Sequence, residues 1–157
     1  MYEAVFFKFS MEMTYWAPHV DTLIAEYNRN PVHNYAMQDF TVSRHEGNFI
    51  CGDDITVYLH IGDGKILDRS FDGNTASITT AAASLLAEMI IGKSVDEVME
   101  WSYDTIAANG LDVLPRRRRA AVIALLATRN AIHQWRGTKK DWTDQILVEE
   151  FEDLLDD

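Results

Sequence analysis

The chain has 157 residues, 47% of them apolar, enough for one domain with a single buried core. It contains no apolar run of about 18 residues, and its start lacks the basic-then-apolar pattern of a secretory leader, so a soluble, cytoplasmic protein is expected. A net charge of −11 disfavours nucleic acid and anionic membranes as partners, and the single cysteine, Cys51, excludes an internal disulfide and any site built from several thiolates of one chain.

Residues 3–9 form the first strand candidate, with Val5, Phe6, Phe7 and Phe9 supplying β-favouring side chains. Pro18 then opens a helix in which Val20, Leu23, Ile24 and Tyr27 share one face. Asn30-Pro31 ends it, because the residue before a proline is pushed out of the α region. Three strand-like stretches follow at 40–45, 54–61 and 65–71, separated by Glu46-Gly47-Asn48 and Gly62-Asp63-Gly64. Ile55, Val57 and Leu59 alternate with Thr56, Tyr58 and His60, the pattern of an antiparallel meander with one face covered.

The second half reads as helical. An alanine- and leucine-rich helix spans about 76–91 and stops at Gly92. Ser94-Val95-Asp96-Glu97 is a capping box opening a helix to about Ala108, where Asn109-Gly110 stops it. Pro115 starts a long helix to about Trp135, closed by Gly137. A last, acidic helix from about 141 to 157 carries Ile146, Leu147, Phe151, Leu154 and Leu155 on one stripe. Strands first and helices afterwards predict an α+β domain over 1–157, a three- to four-stranded antiparallel sheet with helices packed on one face.

Charge is segregated. Arg116, Arg117, Arg118 and Arg119 are consecutive, whereas Asp141, Asp144, Glu149, Glu150, Glu152, Asp153, Asp156 and Asp157 meet no base from Asp141 onward. These are either solvated helix faces that pair with each other or, for Arg116, Arg117 and Arg118, a docking patch for an acidic partner. His19, His33, His45, His60 and His133 lack the close spacing that brings two imidazoles to one metal, and the tryptophans read as core or interface aromatics. No phosphate loop, G-x-S-x-G elbow or paired Cys–His motif is present, so no enzyme is expected.

Three segments, in order, carry a family resemblance. Tyr27-Asn28-Arg29-Asn30-Pro31 resembles a "Y-x-N-P" that follows the first helix. Cys51-Gly52-Asp53 resembles a "C-G-D" opening a strand, followed by Ile61-Gly62-Asp63-Gly64-Lys65-Ile66 at a hairpin. Phe71-Asp72-Gly73, Ala82-Ala83-Ser84 and Gly92-Lys93-Ser94-Val95-Asp96-Glu97 match the third. Together they resemble the iron–sulfur cluster assembly scaffold family of the IscU, NifU N-terminal and SufU type.

The resemblance implies a nascent [2Fe–2S] cluster, or iron or zinc, held by three cysteines with the aspartate of C-G-D or a histidine. In this chain Cys51 and Asp53 match. Ala76 and Ala120 stand where the family has its second and third cysteines, and Arg119 replaces the residue before the third. A two-iron cluster needs about four ligands, which Cys51 and Asp53 alone do not supply. A site sharing Cys51 between two copies of the chain remains open, and so does an ion pair from Arg119 to Asp53 in place of the metal.

By the same resemblance, Cys51 would receive sulfur from a cysteine desulfurase, the alternative being an inert thiol. The family's chaperone-docking L-P-P-V-K reads here Leu114-Pro115-Arg116-Arg117-Arg118. The implied function is a scaffold-like carrier with a degenerate metal site. The alternative is a metal-free interaction module on the same fold.

Overall fold

Ile55, Val57 and Leu59 are completely buried, and the strand that carries them, β2 (Asp53–Gly62), lies between β1 (Val42–Asn48) and β3 (Lys65–Asn74) in an antiparallel sheet of order β1-β2-β3. The computed structural model describes residues 19–48 and 53–147. The expected strand at 3–9 therefore lies outside the described residues, and three strands are present among them. Cross-strand register puts Ile55 opposite Gly73, Val57 opposite Phe71 and Leu59 opposite Arg69, so the covered face of β3 presents Gly73, Phe71 and Arg69. Asp63 (φ 54) and Gly64 (φ 73) both take left-handed conformations, as a two-residue hairpin joining twisted strands requires.

The first strand boundary differs from expectation. Glu46, Gly47 and Asn48, read as a turn, pair with Ile55, Asp54 and Asp53 as the end of β1. Glu46 is held there because its carboxylate accepts hydrogen bonds from Arg44 Nε (3.0 Å) and Asn130 Nδ2 (2.9 Å), long-range ties that outweigh local turn preference. β3 likewise continues through Asn74, beyond the expected 71.

Among the described residues there are six α-helices: α1 (His19–Arg29), α2 (Ser77–Ile90), α3 (Val95–Val98), α4 (Tyr103–Ala108), α5 (Arg118–Arg136) and α6 (Thr143–Ile146). α5 crosses β1 and β2, α2 packs against α5 and β3, and α1 packs on α2. Asn28, from the Tyr27–Pro31 motif, donates to the Ser77 carbonyl at 2.9 Å, and beyond it the N–H of Phe71 donates to the His33 carbonyl. The motif thus fastens the end of α1 to the start of α2 and lays residues 32–34 beside β3.

The helix expected over 94–108 is two short ones. Ser94 caps α3, as its sequence suggested, but Ser102 caps a second helix, accepting from the Asp104 N–H while Thr105 accepts from the Ser102 N–H. The break is fixed from outside, because Arg129 Nη1 on α5 donates to the Trp101 carbonyl at 2.8 Å. Pro115 begins a 3₁₀ turn (Pro115–Arg117) that leads into α5, and Gly137 ends α5 at φ 75. The acidic helix expected over 141–157 appears as the single turn of α6, and residues 148–157 lie outside the described part.

Small residues line the helix-to-sheet contact, with Ala81, Ala82 and Ala83 on α2 and Ala124, Ala127 and Ala131 on α5 all buried. They leave room for Arg69, which is fully buried, 5.8 Å over the Phe71 ring, and donates to the Ala83 carbonyl at 2.5 Å and Thr128 Oγ1 at 3.3 Å. No carboxylate pairs with it among the described residues. Burial pushes the guanidinium down to about 9, which leaves it cationic at neutral pH.

Candidate functional site

Asp53, the first residue of β2, is a carboxylate only 4% exposed. A charge can remain in such a place only if hydrogen bonds replace water. Its Oδ1 accepts the backbone N–H of Ala76 at 2.6 Å, and its Oδ2 accepts the hydroxyl of Thr79 at 2.8 Å. Ala76 is the N-cap of α2 and has no capping side chain of its own. Asp53 supplies the cap from a distant strand and sets a negative charge at the positive end of the helix.

The hydroxyl of Thr79 also lies 3.4 Å from the Ala120 carbonyl in the first turn of α5. Asp53, Ala76, Thr79 and Ala120 therefore meet where β2, α2 and α5 converge. Three positions singled out from the sequence, Asp53, Ala76 and Ala120, are brought together. Cys51, two residues before Asp53, lies outside the described residues.

Arg119 is not part of this group. Its Nη2 donates to Asp144 Oδ1 at 2.8 Å on the surface, so the ion pair to Asp53 is corrected to an ion pair with α6. Neighbouring residues of a helix point about 100° apart, so Arg119, paired with Asp144, and Ala120 face different surroundings. Arg116 and Arg117 are exposed. Arg118 is more engaged, with its Nε 3.4 Å from the Val113 carbonyl and its guanidinium 4.8 Å over the Tyr103 ring.

What the arrangement can bind follows from its donors. A carboxylate has about four acceptor positions, and two on Asp53 already hold the start of α2. The methyl groups of Ala76 and Ala120 offer none. Among the described residues no three of His, Cys, Asp and Glu are grouped to hold a metal. Three of the five histidines pair singly elsewhere: His45 with Asp54, His33 at 3.7 Å from Asp68, and His133 at 3.2 Å from Asp141.

Thr79 escaped the sequence reading. No local signal pointed to it, because Asn74, Thr75 and Ser77 stand around the helix start as ordinary capping candidates, and only the folded contact shows Asp53 taking that role. A second polar group was also missed. Asp141, 8% exposed, accepts from Arg129 Nε at 2.7 Å, and its N–H donates to Asn130 Oδ1 at 2.7 Å. Of the tryptophans, Trp101 is buried, Trp135 and Trp142 are exposed, and Trp16 lies outside the described residues. No described helix is long and apolar enough to cross a membrane.

Comparison with known proteins places these residues in a family context. Residues 20–141 match the profile of the NifU-like N-terminal domain. The chain is similar to the iron–sulfur cluster assembly scaffold protein IscU of Thermotoga maritima, 39% identical over 75 residues that cover 48% of this chain and 53% of that protein. It is also similar to IscU 1 of Archaeoglobus fulgidus, 32% identical over 87 residues covering 55% of this chain and 56% of the relative. The chain thus spans about half the length of these relatives.

Among solved structures, the N-terminal part of a NifU-like protein from Brucella abortus superposes with a TM-score of 0.63 at 19% identity, covering 78% of this chain and 98% of that one. A candidate assembly scaffold for the SUF system from Fervidobacterium islandicum gives 0.63 at 22% identity, over 70% and 93%. Both support the α+β fold.

Proposed function

The chain belongs to the NifU-like N-terminal domain family, and from that membership we propose that it serves iron–sulfur cluster assembly as a scaffold-like carrier whose own ligand set is incomplete. The observation that carries this reading is the convergence of Asp53 with Ala76 and Ala120, the positions matching the family's cysteines, around one helix start. The role is that of a binding module and not of an enzyme. Iron or a [2Fe–2S] unit is its cargo, Cys51 and Asp53 are the donors this chain contributes, and the remaining donors come from another chain. A cysteine desulfurase is the partner class that this chemistry calls for, with Cys51 as the sulfur acceptor.

The test restores what is missing. Ala76→Cys/Ala120→Cys, loaded anaerobically with ferric iron and sulfide and then desalted, is expected to turn brown with stoichiometric acid-labile sulfide. Adding Cys51→Ser should abolish the colour, and the natural chain should retain little. A double variant that stays colourless would mean that these positions do not form a cradle with Cys51. A natural chain that holds a full cluster by itself would remove the incomplete-ligand reading.

One observation favours a second reading, a metal-free interaction module: both oxygens of Asp53 are engaged in capping α2. Iron content equal in the natural chain and in Cys51→Ser would select it.

A further inference from the structure

One hydroxyl at the Asp53 site has two acceptors within reach. Thr79 Oγ1 donates to Asp53 Oδ2 at 2.8 Å, and the Ala120 carbonyl lies 3.4 Å from the same hydroxyl oxygen. A threonine hydroxyl carries one proton and serves one acceptor at a time. The carboxylate holds it here, being both nearer and charged. The carbonyl on α5 stands by as the second.

The two donors that grip Asp53 differ in where they turn without it. Ala76 is exposed, so its N–H can go to water. Thr79 is completely buried, and a hydroxyl orphaned there carries a desolvation penalty that bulk water does not relieve. The Ala120 carbonyl removes that penalty. The neighbouring hydroxyls of Thr75 and Thr80 bond each other at 2.6 Å and do not compete for it. Each donor thus has a fallback, whereas the carboxylate, 4% exposed with one oxygen on each donor, meets a ligand only by turning away from them.

We propose that Thr79 is a positioning residue that latches Asp53 against α2 and passes its hydroxyl to the Ala120 carbonyl when the carboxylate turns to a divalent cation. The inference rests on the carrier reading above, in which Asp53 is a donor to the cargo. Latched, Asp53 joins β2 to α2 and the site is closed. Unlatched, the first turn of α2 is tied to α5 instead. Every cation taken up then displaces a hydrogen bond to a charged group, which weakens its hold and eases its release.

Calorimetric titration of the full chain with zinc ion alone, at neutral pH, tests it in the natural protein, Thr79→Val, Thr79→Ser, Asp53→Asn and Thr79→Val/Asp53→Asn. Thr79→Val is expected to bind zinc about tenfold more tightly, the worth of one hydrogen bond to a charged group, although its fold is weakened. Thr79→Ser keeps the hydroxyl and should match the natural chain, and Asp53→Asn should abolish the gain. In the natural chain, saturating zinc should speed hydrogen exchange at the Ala76 amide several-fold, because its acceptor has been withdrawn. Equal or weaker zinc binding in Thr79→Val, with dependence on Asp53 retained, overturns the latch and leaves the carrier reading standing. Unchanged exchange at Ala76 under saturating zinc overturns it without recourse to any variant. Zinc binding indifferent to Asp53→Asn in every chain also overturns it, and the cysteine-restored chain then tests the carrier reading separately.

Discussion

Thr79 donates its hydroxyl to the Asp53 carboxylate across 2.8 Å and so ties the first residue of β2 to the first turn of α2. The same carboxylate accepts the Ala76 N–H, so one buried side chain secures two donors that sequence-local residues leave open. Thr79→Val should cost about 1–2 kcal/mol in urea unfolding, and Asp53→Ala, which orphans both donors, about 2 kcal/mol or more. An unchanged unfolding midpoint in Asp53→Ala would rule out the capping role and return the carboxylate to ligand binding alone.

Arg69 gives the opposite expectation for a charged group. Its guanidinium lies fully buried without a carboxylate, so Arg69→Met, which keeps the length and removes the charge, should be neutral or stabilising. Arg69→Ala leaves a void between Ala83 and Thr128 and should cost about 2–4 kcal/mol. If Met were as damaging as Ala, the charge itself would be holding the helices in place.

Tyr103 makes alkaline stability measurable. Burial, and then the hydrogen bond it donates to Asp112 at 2.9 Å, push its phenol up to about 12 from the ordinary 10. Between those values the unfolded chain has lost the proton and the folded chain still holds it. Stability from this group is therefore complete below pH 10 and is lost as pH rises toward 12. Tyr103→Phe should remove that slope, along with one late-titrating tyrosine in ultraviolet difference spectra. An identical alkaline slope in the variant would show that Tyr103 ionises normally.

Gly73 is the most constrained backbone position near the site. Its φ of +131 suits glycine, and a Cβ there would lie 2.1 Å from the Asp54 carbonyl oxygen. Gly73→Ala should destabilise by more than about 2 kcal/mol, and it should disturb the pairing of β2 beside Asp53. Retained stability, measured by thermal unfolding, would mean that β3 ends before this residue.

Legibility in the sequence followed the range of the interaction. The alternation of Ile55, Val57 and Leu59 and the Asp63-Gly64 turn are local signals, and both carried through to the sheet and its hairpin. The end of β1 was misread because Glu46 is held by Asn130, 84 positions away. The break after α3 was missed because it depends on Arg129. Motif order brought Asp53, Ala76 and Ala120 into view. Neither the Thr79 bond nor the turn of Arg119 toward Asp144 could be read without knowing which faces of α2 and α5 meet.

Arg129 reaches the Trp101 carbonyl with one nitrogen and Asp141 with another. Two loops remote in sequence, the one between α3 and α4 and the one entering α6, are thereby riveted to a single side chain. They form one cooperative opening unit, so their amides should lose protection against hydrogen exchange in step, and Arg129→Ala should release both at once while the sheet stays closed.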